Sequence, residues 1–359
     1  MKPAIRLCQF SVTLSKGDAM SAQAIAIHRA AEAFGVESAL FTFEPVDDMP
    51  VPVSLVGEYE QHANDVIVLH YGGRGEREDW VLGLPGRIYI CYHNVTPARF
   101  FARIGVPWVE GLRRGRDSLP ELAHLGGLAD SDYNRQELIR AGFRDVHVIP
   151  LILDFDAMIQ ATQSLAAQEI VAKYQQAGVI NWLHVGRIVP NKHIEDIIRA
   201  FYVYHTQINP NSRLFFAGTD ESFETYSQPI HRWVERLGLQ QSVIFTGRLP
   251  DDDQVAGLYR LADLYVCMSE HEGFCAPLVE AMVQRVPIIA YRSSAVKDTM
   301  GNAGVLLDSK DPALIAHIAH LLCSQAAYRQ EIIAGQLVQA QKWHPDKARQ
   351  ALYEWLQTL

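Results

Sequence analysis

The sequence has little cysteine, no surplus of positive charge and no long apolar run. Its five cysteines (Cys8, Cys91, Cys267, Cys275, Cys323) are odd in number and form no Cys-x-x-Cys pair. Cys8, Cys91 and Cys267 lie in apolar, strand-like runs and read as buried reduced thiols, which points to the cytosol. Lysine and arginine total 32 against 41 acidic residues, a net charge of −9 that argues against a general nucleic-acid binder. No window approaches the roughly 18 apolar residues a membrane-spanning helix needs. The N-terminal MKPAIRLCQF lacks the continuous apolar stretch of a signal peptide. The motifs GxGxxG, GxxxxGK[ST], GxSxG and HExxH are missing. His317 and His320 share a helix face without an acidic or thiol companion. Asp-x-Asp occurs at Asp130, Asp154 and Asp251, which shows how weak that pattern is, and Asp251 reads better as a helix cap. No metal or other cofactor is expected.

What the chain does have is apolar content of 48% with 20% charged residues, enough to bury substantial cores. Its 359 residues suggest two domains. The first third reads as strands at Ala4–Phe10, Val36–Thr42, Asp65–His70, Arg87–Tyr92, Ala129–Ser131 and Val146–Ile149. Helices at Ala19–Phe34 and Arg135–Ala141 lie between them, and a helical connector follows over Ala157–Gln176. The second half repeats the pattern, with strands Ile180–Val185, Leu214–Ala217, Val243–Thr246, Leu264–Met268, Pro287–Ala290 and Gly304–Leu307. Helices are expected at His193–Tyr204, Pro229–Leu237 and Asp251–Leu261. Strands alternating with helices imply crossover units and parallel sheets, hence an α/β chain of two doubly wound domains. The expected boundaries are 1–170, 177–345 and a final helical segment 346–359.

Sites in such sheets lie beyond the carboxyl ends of the strands. The stretch Glu270–Met282 follows a buried strand with a small-residue loop, then Pro277 and a helix-forming run. Proline suits the first helical position, so the amides of Gly273, Phe274, Cys275, Ala276 and Leu278 should gather at a helix N-terminus, a ready anion site. Glu272 and Glu280 bracket that loop. Either they complement the helix dipole, or they bind sugar and ribose hydroxyls. At the end of the domain's first strand, Gly186 permits close approach, and Arg187 and Lys192 bring two cations to a strand-end ligand. In the first domain Gly17 stands before a helix, either approaching a ligand or easing a turn capped by Asp18. His93 ends another strand, as a ligand contact or a structural histidine. Residues 97–118 mix aromatics with Arg113, Arg114 and Arg116. They could rest on an anionic membrane, but the acidic balance of the chain favours a solvated helix with its aromatics turned inward.

Together these residues resemble a known family. Glu272–Glu280 is similar to the E-x7-E element of retaining family 4 glycosyltransferases of the GT-B fold. "HVGRIVPNK" resembles that family's Gly-Arg…Lys signature, "TGRLPDDDQVAGLY" its base-binding loop, and "YHNVTPARFF" a His-Asn-x-Thr-Pro element of a bacterial branch. The resemblance implies two Rossmann-like domains facing a central cleft, with the C-terminal helix crossing back to the N-terminal domain. It implies a nucleotide-sugar donor, UDP or GDP, with Arg187 and Lys192 on the diphosphate and Glu272 on the sugar hydroxyls. Glu280 would hold the ribose, the backbone near Arg248 and Leu249 the base, Gly17 the diphosphate, and His93 the transferred sugar. His93, Glu272, Arg187 and Lys192 are then the expected catalytic residues. The N-terminal loop reads Lys16-Gly17-Asp18 where the family often has Gly-Gly, which weakens the part assigned to Gly17. The implied activity is metal-independent, retaining transfer to a glycan or lipid-linked glycan acceptor in bacterial surface polysaccharide synthesis. That setting is cytoplasmic, with a peripheral contact at the inner membrane. A nucleotide-sugar epimerase of the same fold and a non-catalytic GT-B binding subunit are the alternatives.

Overall fold

The computed structural model describes residues 5–15, 17–102, 104 and 108–359. Ala4, Lys16 and part of segment 97–118 lie outside them. The chain divides into two compact units. The first holds β1 (Arg6–Ser11), β2 (Glu37–Thr42), β3 (Ser54–Leu55), β4 (Asp65–Tyr71), β5 (Arg87–Tyr92), β6 (Gly126–Ala129) and β7 (Val146–Val148). They pair in the order β3-β2-β1-β4-β5-β6-β7, all parallel. The second holds β8 (Ile180–Val185), β9 (Ser212–Ala217), β10 (Val243–Gly247), β11 (Leu264–Cys267), β12 (Ile288–Tyr291) and β13 (Val305–Leu307). Their order is β10-β9-β8-β11-β12-β13, again parallel. Each sheet reverses its winding once, between β1 and β4 in the first and between β8 and β11 in the second. At such a switch point the two flanking crossovers leave in opposite directions and open a crevice at the strand ends.

The β8–β11 core explains why these runs are strands. Trp182, Leu214, Phe216, Leu264 and Val266 are buried with Ile197, Phe201 and Tyr204 from the crossover helix Ile194–Val203 and the turn after it. Strands covered on both faces read as near-continuous apolar runs, as Leu214–Ala217 and Leu264–Cys267 do.

Several expectations shift. β6 begins at Gly126, earlier than Ala129. A Cβ at Gly126 would collide with the Tyr89 ring, and one at Gly127 would meet Leu138 at 2.8 Å, so this strand packs through its backbone. Its residues therefore carry no strand-like side-chain signal. Ser131 instead caps the following helix, accepting from Asn134 N at 3.1 Å. The connector is two helices, Phe155–Ala161 and Leu165–Tyr174, and Ser164 caps the second. Both pack with the second unit, whose long segment Asp154–Lys342 starts well before the expected boundary near residue 170. The reason is Gly257, whose Cα lets helix Asp252–Leu261 lie against Ala167 and Ile170 with no room for a side chain. Pro229 sits inside helix Glu224–Arg236, where a proline had suggested a start.

The last helix, Pro345–Thr358, belongs to the first unit. Leu352, Trp355 and Leu356 bury against Leu7, Ile27, Val66 and Val68, and the Trp355 and Tyr89 rings meet edge-on at 5.1 Å. Segment 109–117 is a helix whose arginines are already paired. Arg113 meets Glu110 at 2.7 Å, Arg114 meets Asp79 at 2.5 Å and Arg116 meets Glu137 at 2.5 Å. Phe101 is buried beside Phe223.

Candidate active site

In the second unit the switch point gathers two strand-end loops. β8 runs into Gly186, exposed Arg187 and a 3-10 turn at Pro190–Lys192. β11 runs into Ser269–Cys275 and helix Ala276–Val283. Asn191 staples the two, donating to His271 O at 3.0 Å while its own carbonyl accepts from Glu270 N at 2.8 Å. Lys192 Nζ then meets Glu272 Oε1 at 2.7 Å, with both side chains nearly buried. Burial opposes each charge, and each partner outweighs it. Lys192 is held above the ordinary lysine range and Glu272 below the ordinary carboxylate range. Ser294 Oγ accepts from Glu272 N at 2.7 Å and fixes the loop's backbone.

The helix begins one residue before Pro277. Leu278 N reaches Cys275 O at 3.0 Å, so Pro277 is the second helical residue and Cys275 the N-cap, with φ +70°. Left-handed backbone at a non-glycine residue is costly, and it recurs here at His193 with φ +48°. Thr299 Oγ1 braces the loop from below, donating to Phe274 O at 2.5 Å. Four residues into the helix, half-buried Glu280 accepts from Tyr259 OH at 2.8 Å, and burial raises its pKa. Arg248 and Leu249 follow β10, exposed and half-buried respectively.

Gly218 holds this geometry from the neighbouring strand. At φ +154° its missing Cβ points into the Gly186 carbonyl. Gly218→Ala should therefore cost at least about 2 kcal/mol in urea unfolding, through strain and a displaced Gly186–Lys192 turn. A loss under about 0.5 kcal/mol would show that the contact can relax.

In the first unit Gly17 has φ +71° and Asp18 caps helix Ala19–Ala33, accepting from Ser21 N at 2.9 Å. The His93 side chain is enclosed in a chain of polar groups. Its Nδ1 lies 2.8 Å from Asp130 Oδ2, and its Nε2 lies 2.8 Å from His70 Nδ1. His70 Nε2 is 3.0 Å from Gln9 Oε1, and Gln9 Nε2 donates to Ala24 O at 3.2 Å. That last bond sets every proton upstream. Gln9 Oε1 accepts from His70 Nε2–H, so His70 Nδ1 carries a lone pair and His93 Nε2 must donate to it. His93 Nδ1 donates to Asp130. His93 is therefore an imidazolium, paired with a carboxylate. Burial would lower its pKa, but Asp130 outweighs this and lifts it well above the ordinary histidine value. His70 is pushed well below by burial and by the His93 charge. Both His93 ring nitrogens are thus committed within the protein.

The structure joins Lys192 and Glu272 directly and sets Gly186 beside Lys192, while Arg187 and the Gly273–Leu278 amides lie on the same two strand-end loops. Gly17 and His93 belong to the other unit. The sequence motifs assign no role to Tyr259, Ser294, Thr299, Gln9 or the partnership of Asp130 with His93. The available signal was Gln9 and His70, polar residues at interior positions of strands otherwise apolar.

Residues 169–336 match the family described as glycosyl transferases group 1. The second unit is a group 1 glycosyl transferase domain. O-antigen chain mannosyltransferase B of Escherichia coli is 26% identical over 218 residues, covering 60% of this chain and 56% of that protein. A GDP-mannose-dependent alpha-(1-6)-phosphatidylinositol dimannoside mannosyltransferase of Mycobacterium tuberculosis is 24% identical over 221 residues, 59% and 55% of the two chains. The chain thus spans little more than half the length of these relatives. Among solved structures, Anabaena Alr3699/HepE in complex with UDP and glucose superposes with TM-score 0.73 at 17% identity, over 99% of this chain and 100% of that one. Sucrose-phosphate synthase from Thermosynechococcus elongatus gives 0.76 at 16%, over 99% and 98%. The fold around the glycosyl transferase domain is therefore GT-B, two Rossmann-like domains with parallel sheets. No helix among the described residues is long and apolar enough to cross a membrane.

Proposed function

We propose that this chain is a retaining, metal-independent hexosyltransferase. It would move a sugar from a UDP- or GDP-sugar to a glycan acceptor carried on lipid, in bacterial surface polysaccharide synthesis. The observation that carries this reading is the buried Lys192–Glu272 pair beside a helix N-terminus at the switch point of a group 1 glycosyl transferase domain. The named mannosyltransferase relatives make a mannosyl donor the first to test.

The chemistry follows from charge. As the bond from the anomeric carbon to the diphosphate oxygen breaks, negative charge collects on the leaving group and the sugar becomes oxocarbenium-like. Arg187, Lys192 and the amides of Gly273–Leu278 would stabilise that charge without a metal, as preorganised groups do best. Glu272, held ionised by Lys192, would accept from donor-sugar hydroxyls. Glu280 would offer a carboxylate oxygen to the ribose while Tyr259 holds the other, with the base near Arg248 and Leu249. The acceptor oxygen bonds to the anomeric carbon on the face the phosphate leaves, and its proton passes to the departing phosphate oxygen. Gly17 would keep the diphosphate role that the family resemblance implies. His93 would act on the transferred sugar as a fixed positive charge, since its ring nitrogens are already bonded.

Thermal unfolding with GDP, UDP, ADP and their sugars tests the donor class, because a ligand of the native state raises the midpoint. GDP or UDP should raise it and ADP should not. Arg187 is exposed and makes no ion pair among the described residues, so Arg187→Ala should keep the midpoint of the unliganded protein. It should lower transfer at least about tenfold, the loss of one charge-assisted contact. Near-normal transfer by the folded variant sinks the diphosphate assignment.

A further inference from the structure

Beside the loop Gly273–Ala276 lies a group of side chains of which the transfer reaction uses only Glu272. Cys267 Sγ, Cys275 Sγ and a Glu272 carboxylate oxygen all lie within 4.8 Å of one another. The two thiols are buried and Glu272 is about 10% exposed, which leaves one open edge. Ser269 spans the group, with its Oγ 3.3 Å from Cys267 Sγ. We propose that Cys267, Cys275 and Glu272 form a binding site for one thiophilic divalent cation of the zinc class, and that filling it releases Lys192 from Glu272.

Size, softness and charge support this. Metal–sulfur bonds of about 2.3 Å and metal–oxygen bonds of about 2.0–2.2 Å put tetrahedral donors roughly 3.3–3.8 Å apart, and the three donors here, all within 4.8 Å of one another, need draw in by at most about 1–1.5 Å. Two thiolates select zinc, cadmium or cobalt over magnesium or calcium. The balance is M²⁺ + 2 RSH → M(SR)₂ + 2 H⁺, the protons leaving to solvent. Before binding, the Lys192 cation and the Glu272 anion sum to zero. Afterwards two thiolates, one carboxylate, one ammonium and the divalent ion sum to zero again, so no net charge is buried.

A second observation concerns the released ammonium. His184 Nδ1 donates to Val266 O at 2.9 Å, so its Nε2 carries a lone pair. That nitrogen is buried and has no partner among the described residues. Burial and then the neighbouring Lys192 charge lower the pKa of His184 to about 4, so it stays neutral and able to accept. A Cβ at Gly186 would lie 3.4 Å from Lys192 Nζ and 3.9 Å from His184 Nε2, which brackets the two groups on one side of the cluster.

The other group with suitable ligands among the described residues, His70, Cys91 and His93, does not qualify. Its two imidazole nitrogens are 2.8 Å apart, a hydrogen-bond distance, whereas two nitrogens on one zinc stand about 3.4 Å apart. A consequence rests on the donor-site reading above: with Glu272 taken from below, the cation and the nucleotide sugar exclude each other.

Titrating the reduced full-length protein with Co²⁺ should raise a thiolate-to-cobalt charge-transfer band that saturates at about one equivalent and is displaced by Zn²⁺. Cys267→Ser and Cys275→Ser should each lose the band and weaken Zn²⁺ binding at least about tenfold. In the unsubstituted protein, one equivalent of Zn²⁺ should slow alkylation of Cys267 and Cys275 at least about tenfold relative to Cys323, which tests the site even if a variant misfolds. No band, a band that survives both substitutions, or equal protection of Cys323 overturns the site. A nucleotide-induced thermal shift should vanish with Zn²⁺ and return with chelator. If the band forms and that shift persists, the site stands and the exclusion is overturned. If no nucleotide shifts the free protein, the donor reading fails while the band still decides the site.

Discussion

Lys192→Ala is expected to cost about 3–5 kcal/mol of folding stability and at least about tenfold in transfer. The stability loss comes from what is left behind. Lys192 and Glu272 are about 15% and 10% exposed. Removing the ammonium leaves a carboxylate with its desolvation penalty and no compensating charge. Glu272 has its pKa lowered in the native protein, since the Lys192 charge and hydrogen bond outweigh burial. A depressed carboxylate contributes stability that is present above its unfolded pKa and lost as pH falls through the folded one. In Lys192→Ala burial acts without that charge and pushes Glu272 up instead. The deficit should then be largest near pH 7 and shrink toward pH 4, where the orphaned carboxyl protonates. The double variant Lys192→Met, Glu272→Gln removes both charges and should recover most of the stability without recovering transfer. Urea unfolding of the single and double variants, with transfer assayed on each, checks both halves. A single variant within about 1 kcal/mol of the parent at pH 7 would mean that water reaches Glu272 and the pair is a surface contact.

That pair also shows where sequence reading stops. Lys192 and Glu272 both stand out in the sequence as candidate site residues, because each follows an apolar strand run and a small residue. Their contact was not legible. It is made across the β8–β11 pairing, between residues 80 apart in the chain, and nothing local says that these strands are neighbours. Seen separately, each charge reads as a ligand contact; together they are first each other's counter-ion. β8 and β5 fall at Ile180–Val185 and Arg87–Tyr92, where their apolar runs put them. β6 does not, because its fit depends on the missing side chains of Gly126 and Gly127. Pro277 was read as the first residue of its helix because the left-handed Cys275 that starts the turn carries no composition signal. The same limit applies in the first unit. Gln9, His70, His93 and Asp130 come from four separate stretches, and only the β1–β4–β5–β6 order lines them up.

Asp130→Asn is the second large effect, about 3–5 kcal/mol near neutral pH, with a change in the sign of the pH dependence. His93 and Asp130 are each about 5% exposed, and the proton chain through His70 and Gln9 makes His93 a cation. A histidine whose folded pKa is raised contributes stability that is complete below its unfolded value near 6.5. It is lost as pH rises through the folded value. The native protein should therefore take up a proton on folding at pH 7–8 and become less stable with further alkali. Asparagine keeps the shape and a hydrogen-bond acceptor but removes the charge. Burial then dominates and lowers the His93 pKa, so the variant should lose stability as pH falls through about 6.5 and gain it with alkali. The two unfolding free energies, followed from pH 5.5 to 9, should converge at the alkaline end. Parallel curves would mean that His93 is neutral in the native state. In that case the Gln9 amide would be turned the other way, with its Nε2 donating to His70. Because His70 and Gln9 set the proton positions without touching Asp130, Gln9→Leu gives an independent check. It removes the acceptor that keeps the His70 proton on Nε2, so it should weaken the alkaline loss while leaving the carboxylate in place.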